Sequence, residues 1–508
     1  VNWFRNVSGN DADKMLLYAM GENSFEPKDF SKMDTTVKAL IINPSLAKDR
    51  YVQEKFIKSI EKKKKESYMG SILINANYQF MISDPFAQAC HAFRVEYTPL
   101  LQDCEHYSEY WLNKKIKMVA MENLREQFLL NPEITFLNFG SFGATPKPIF
   151  DVYQHWQRVL EAEPVQFIAF DGVTYLANTR AALAKFIGCA DKDDLVMVTN
   201  PSFAINMIAK NFPLQEGDEI LATDIEYGAC DRTWDYYCKK SKAVYRRQKI
   251  HLPITTKEKF IENFFEGLRP TTKAIFISHI TSATGLIFPV KEICAMAKSK
   301  GLITIVDGAH VPAHIPFNLS EINADFYTGA CHKWMMTAKG CSFLYAHKSV
   351  QHLCDPLIVS WGYKAFKPSA STFLDYHQMI GTRDFSAFLT VEASIEFMEK
   401  NNWRAVSKKC HEIVLSNAGR FYQLLGTQPI SPLNDQWIGQ MISIPLRSAE
   451  PEVLQRKLFT DYKIEIPIMR QENDVYMRYS INAFNSVADL DTLYQALEAI
   501  KKEGVLIQ

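Results

Sequence analysis

No uninterrupted apolar run in this sequence approaches 18 residues, so no membrane-crossing helix is expected. Neither sign of charge is in excess. Lys plus Arg number 57 and Asp plus Glu number 57, which gives no basic field for nucleic acid or an anionic membrane. The ten cysteines stand singly, with no C-x-x-C pair. That spacing excludes zinc-ribbon and disulfide-framework patterns and fits free thiols in a reducing compartment. The opening residues, V-N-W-F-R-N-V-S-G, lack the apolar core of a secretory signal. Internal repeats and low-complexity tracts are missing as well. What remains is a chain of 508 residues, 47% hydrophobic, long enough for more than one domain. The expectation is a cytoplasmic, multi-domain enzyme-sized protein.

Three regions differ in pattern. Residues 1–120 carry a basic run at 54–66 that reads as a solvated helix, a strand signal at 71–76, and a Tyr- and His-rich stretch at 91–111. No motif with a mechanism falls there, and the segment is left unassigned as a possible fused module. From Met121 an amphipathic opening helix, M-E-N-L-R-E-Q-F-L-L, leads into strand signals at 195–199, 219–223, 274–278, 302–306 and 342–346. Helical stretches such as 290–299 separate them. This alternation predicts a large α/β domain over 121–390, with a mainly parallel sheet. After about 391 a long helical stretch, strand signals at 440–444, 464–466 and 475–480, and a last helix at 488–502 predict a smaller α+β domain.

Chemistry concentrates between residues 303 and 334. I-T-I-V-D-G-A-H is an apolar strand that ends abruptly in Asp307. Twenty-six positions later Lys333 stands between His332 and Trp334, in Y-T-G-A-C-H-K-W. A strand-tip carboxylate and a lysine in an aromatic sleeve are the two groups most needed to hold pyridoxal phosphate. The amine forms a Schiff base and the carboxylate keeps the pyridine nitrogen protonated. An apolar sleeve also lowers the lysine pKa. His310 could face the same ring. V-T-N-P-S-F-A-I-N, from Val198, passes from strand to helix, so its backbone N–H groups and the Ser202 hydroxyl form a possible phosphate cradle. A plain N-cap by Asn200 or Ser202 fits the same segment equally well. Tyr227 and Ser282 follow two further strand ends, the edge at which open parallel sheets bind ligands.

From about Met121 to the C-terminus the chain resembles class V aminotransferase-fold pyridoxal phosphate enzymes, and among them isopenicillin N epimerase-like proteins. The blocks are F-L-N-F-G-S-F-G-A from Phe136, E-Y-G-A-C-D-R-T-W from Glu226, H-I-T-S-A-T-G-L from His279, V-D-G-A-H, F-Y-T-G-A-C-H-K-W, M-I-G-T-R-D from Met379, and I-E-I-P-I…M-R-Y-S from Ile464. The resemblance implies a fold-type I architecture, a homodimer, and Lys333 as the residue that carries the cofactor. It implies Asp307 at the pyridine nitrogen, with His310 and Ser282 near the phenolic oxygen. Ser202, His332 and Thr382 meet the phosphate, Thr382 reaching from a second subunit, and Phe203 is counted with them among the cofactor-binding residues. Tyr227 stacks on the ring, and Arg478 with Asn138 receives the substrate, Arg478 gripping its carboxylate as a fork. The sequence departs from the pattern at Phe139, where a histidine is usual, at Ile225, where many of the wider fold group place the ring-stacking histidine, and at Pro201 and Phe203, where smaller or hydroxyl residues are usual.

The reaction implied is at the α-carbon of an amino acid, by epimerisation or transamination. A C–S lyase is the alternative, and a cofactor-binding regulatory protein with an N-terminal interaction module is a reading of another class. Desulfuration through a mobile cysteine ranks low, because no cysteine follows Cys410.

Overall fold

In the computed structural model the described residues are 124–504, without 449. The chain divides into two units, Val1–Val119 and Ala120–Gln508, and every described residue lies in the second. The expectations for 54–66, 71–76 and 91–111 lie outside the described residues.

The centre is a seven-stranded sheet made of β2 (Leu195–Val198), β3 (Glu219–Thr223), β4 (Val244–Gln248), β5 (Thr272–Ser278), β6 (Ile303–Asp307), β7 (Phe326–Ala330) and β8 (Ser342–Ala346), in the order β2-β8-β7-β6-β5-β3-β4. Only β8 runs against the rest. Alternate side chains along each strand enter different helical layers, as the two-residue strand period requires. Leu221, Ile275, Ile277, Val306 and Tyr327 join the layer that includes Leu183 and Ile293. Ile220, Ala222, Phe276, Ile305 and Phe326 pack under Ile205, Ile208 and Trp234. Both faces are covered, so every strand except the edge strand β4 is almost wholly buried and the sheet is the doubly wound type. The carboxyl ends of β2, β3, β5, β6 and β7 all open on one edge.

Two strands of this sheet were not among the sequence expectations. β4 is an edge strand whose burial pattern shows little apolar alternation. β7 was read as part of a turn because Gly329 interrupts it; a Cβ there would lie 2.5 Å from the Phe343 ring, so packing demands the glycine that weakens the strand signal. The opening helix is also corrected. Among the described residues, helix ends at Arg125, and Phe128 instead bridges to Pro146 and packs edge-on against Phe484 at 4.9 Å.

Residues 135–136 (β1) pair in parallel with Ile464–Glu465 (β10). A three-stranded antiparallel sheet, β11-β12-β9, joins Ile468–Gln471 (β11), Asp474–Ser480 (β12) and Met441–Leu446 (β9). Its middle strand β12 carries Arg478. The β1–β10 pairing brings the turn at 138–143 beside that strand.

Candidate active site

Strand β7 stops at Ala330, and the next turn holds Lys333, whose Nζ lies 3.2 Å from His310 Nε2. The Trp334 indole N–H points at His310 Nδ1 at 3.4 Å. An indole nitrogen only donates, so Nδ1 accepts and the ring proton resides on Nε2. That proton is aimed at Lys333, a contact that needs the lysine lone pair. Burial, and then the Arg478 charge, push the Lys333 amine down to about 8, with Asp307 pulling the other way. Burial also holds His310 well below the usual histidine range, so the ring is neutral and its Nε2–H pairs with the free-base form of the amine.

Asp307 closes β6 and is buried. Its Oδ1 accepts from the Ala309 N–H at 2.9 Å, and Oδ2 accepts the weaker Cys230 thiol at 3.6 Å. Among the described residues no cation pairs with it. Burial raises its pKa, as expected for an anion short of partners. A protonated pyridine nitrogen would complete that set, and the free-base amine of Lys333 would meet the cofactor's aldehyde. On these two observations the residues fit pyridoxal phosphate.

Arg478 is the third element. It is 1% exposed, with its Nε unpaired and no carboxylate in ion-pair contact among the described residues. Nη1 donates to the Ser282 carbonyl at 2.6 Å and faces its hydroxyl at 3.3 Å, while Nη2 donates to Ser141 Oγ at 2.9 Å. Burial lowers its pKa to about 10. A buried guanidinium without an acid is costly unless an anion arrives.

The turn at 138–143 lies on both cationic groups. A Cβ at Gly140 would sit 2.6 Å from the Met441 sulfur and 3.4 Å from Arg478 Nη2. At Gly143, whose φ is +64°, it would sit 2.4 Å from the His332 carbonyl oxygen and 2.7 Å from that of Lys333. This contact is the physical content of the F-G-S-F-G block.

The remaining expected residues fall into two groups. Ser282 lies against Arg478, and Tyr227 starts the helix Gly228–Lys240 half-exposed, near enough to Asp307 and Arg478 for both charges to act on its phenol. Asn138 does not present its amide to a substrate; its Nδ2 donates to Glu465 and its Oδ1 accepts from Ser141. At the helix Pro201–Asn211, Asn200 caps the Phe203 N–H at 2.8 Å, so the N-cap reading holds and the Ser202 N–H and hydroxyl are left for an anion. His332 Nδ1 donates to the Cys341 carbonyl at 2.9 Å. Its outer nitrogen can therefore donate to a phosphate only as imidazolium, and burial pushes its pKa down to about 4. Thr382 is exposed.

Sequence reading missed Glu226, Cys230 and Ser141. Glu226 is fully buried and accepts from the Thr223 hydroxyl at 2.7 Å and the Ser278 N–H at 2.9 Å, and burial raises its pKa to about 8. The signal was present, since Glu226 opens the E-Y-G-A-C block just past a strand tip. The Cys230 thiol shows only once the fold brings it under Asp307.

The family model for class-V aminotransferases matches residues 146–493. The isopenicillin N epimerase of Streptomyces clavuligerus is 30% identical over 398 residues, covering 75% of this chain and 98% of that protein. A probable chloroplastic L-cysteine desulfhydrase of Arabidopsis thaliana is 25% identical over 407 residues, covering 74% and 84%. Among solved structures, a lysine-to-alanine mutant of C-DES with glycine covalently linked to the PLP cofactor superposes with a TM-score of 0.62 at 18% identity, covering 74% of this chain and 98% of that one. That likeness shows the fold.

Proposed function

The chain belongs to the class-V aminotransferase family and uses pyridoxal phosphate, and on that premise we propose that it moves the α-proton of an amino acid, as an isopenicillin N epimerase-like enzyme. When bound, the cofactor draws electrons from the substrate's α-carbon. Lys333 would hold it in the resting enzyme, and its Nζ, once free, would take the α-proton. His310 Nε2–H, 3.2 Å away, donates to the free-base form of that amine. Asp307 maintains the charge on the pyridine nitrogen. Tyr227 covers the ring, Ser202 meets the phosphate, His332 joins it as imidazolium when the bound anion offsets the effect of burial, and Thr382 of a second subunit completes that pocket in a homodimer. Arg478 receives the α-carboxylate.

One observation carries this reading: a buried arginine without an acid partner stands close enough to Lys333 to depress its amine. This supports reading Arg478 as a carboxylate acceptor beside Lys333 as a proton acceptor, the pair that α-carbon chemistry needs. The epimerase outcome is favoured because the likeness to the epimerase spans 98% of its length. A C–S lyase is the second reading, supported by the desulfhydrase relative. Persulfide chemistry finds less support: seven of the eight cysteines among the described residues are buried, and burial lifts the Cys189 thiol to about 11.

The test is to incubate the holoenzyme with a panel of L- and D-amino acids in deuterated water. Deuterium at Cα with inversion is expected. Deuterium accompanied by a keto acid and released thiol establishes the lyase instead. No Cα exchange with any amino acid refutes the proposal.

A further inference from the structure

Arg478 is tied to a carboxylate it does not touch. Its Nη2 donates to Ser141 Oγ at 2.9 Å, Ser141 donates to Asn138 Oδ1 at 2.5 Å, and Asn138 Nδ2 donates to Glu465 Oε1 at 2.9 Å. Every donor in this chain points the same way, from the guanidinium to the acid. Such a run polarises cooperatively in a low-dielectric interior. The fold builds it from separated segments. Glu465 comes from β10, Asn138 and Ser141 from the turn after β1, and the β1–β10 ladder holds the two in register through Phe136 and Glu465. The Leu137 N–H also bonds to the Glu465 carbonyl at 2.9 Å. The acid and the turn are therefore fixed to each other by backbone, and only the two neutral side chains lie between acid and arginine.

We infer that Ser141, Asn138 and Glu465 form a positioning relay that aims Arg478 at a substrate carboxylate while leaving its charge uncommitted. A carboxylate in direct contact would neutralise the guanidinium and compete with the substrate for it. Two neutral links avoid that competition. They fix the orientation of Nη2, as the Ser282 carbonyl fixes Nη1 from the other side. Ser141 is the link that matters most, because of the three relay residues it is the one hydrogen-bonded to Arg478. Its hydroxyl accepts from the guanidinium and donates onward, which alanine cannot do and threonine can. This inference rests on the reading of Arg478 as the carboxylate acceptor and adds the residues that set its selectivity.

The test measures binding to the holoenzyme rather than turnover. Dissociation constants are measured, by the change in the cofactor's absorption, for two matched pairs: L-methionine against 3-(methylthio)propylamine, and L-alanine against ethylamine. The wild type should favour each carboxylate over its amine. Ser141→Ala should reduce that preference about tenfold, the loss of one charge-assisted hydrogen bond, with amine binding changed less than about twofold. Ser141→Thr should restore the preference, and Glu465→Gln should lower it less than Ser141→Ala, because the amide oxygen can still accept. A wild-type preference that Ser141→Ala retains overturns the relay and leaves the role of Arg478 standing. If the wild type itself shows no preference, the carboxylate role of Arg478 fails, and the relay with it. A purely structural Ser141 would lower the melting temperature and weaken both members of each pair alike, which also overturns the inference.

Discussion

Lys333 must be a free base to capture an aldehyde, so cofactor loading reads its protonation directly. An ordinary lysine titrates at about 10.4, so at about pH 7.5 only about one in a thousand is unprotonated. With the amine pushed to about 8, the free-base share at about pH 7.5 rises to about a quarter. The gain is about two hundredfold, and it comes from burial and the Arg478 charge against the pull of Asp307. The assay is the second-order rate of pyridoxal phosphate capture by cofactor-free enzyme across the pH range. It should rise and level off with a midpoint near 8. Two substitutions test the causes separately. Arg478→Met removes a like charge, so the midpoint should move up. Asp307→Asn removes the opposite charge, so it should move down. The sign of the linked stability follows from the same shift. The folded-state pKa of Lys333 lies below its unfolded value, so the unfolded chain binds more protons between about pH 8 and 10.4, and this group's contribution to stability rises with pH across that window. A capture rate still climbing tenfold per unit above about pH 9, or midpoints that move the same way in both variants, refutes the reasoning.

Gly143→Ala should cost about 2–4 kcal/mol in a denaturant titration, combining a left-handed backbone with overpacking onto the Lys333 turn; a loss below about 1 kcal/mol would mean the turn can retreat. Arg478→Lys should raise KM for amino acids at least tenfold while the cofactor spectrum stays put, since an ammonium cannot reproduce the planar fork. Asp307→Asn should retain the fold yet lose turnover more than cofactor affinity; activity within about threefold of wild type, under about 1 kcal/mol of barrier, would remove it from the pyridine nitrogen. A protein that begins at Met121 should still bind pyridoxal phosphate, as judged by its absorption; a colourless product while the whole chain is yellow would place residues 1–120 in the core.

Lys333 was legible in the sequence from the apolar and aromatic residues that flank it, and Asp307 because it ends an apolar strand, where period and burial mark the sheet edge. The strands at 219–223 and 342–346 and the helix at 290–299 were legible for the same reason. β4 was not, because an edge strand carries little apolar alternation, and β7 was hidden by a glycine that its neighbour requires. Asn138 was read as a substrate contact because sequence gives proximity in the chain but not the direction of a side chain; the β1–β10 pairing turns its amide toward Glu465. The tautomer of His310 likewise depends on Trp334, whose distance from it no periodicity encodes.

The central claim is that Lys333 carries the cofactor, and its nearest rival is Lys339. That amine is also lowered to about 8 by desolvation, although its side chain remains accessible, and it lies 3.4 Å from Thr145 Oγ1 rather than near Asp307. Borohydride reduction of the pyridoxal phosphate-loaded protein followed by peptide mapping separates the two. The label should appear on Lys333 alone and vanish in Lys333→Ala; a label on Lys339, or one that survives that substitution, contradicts the account.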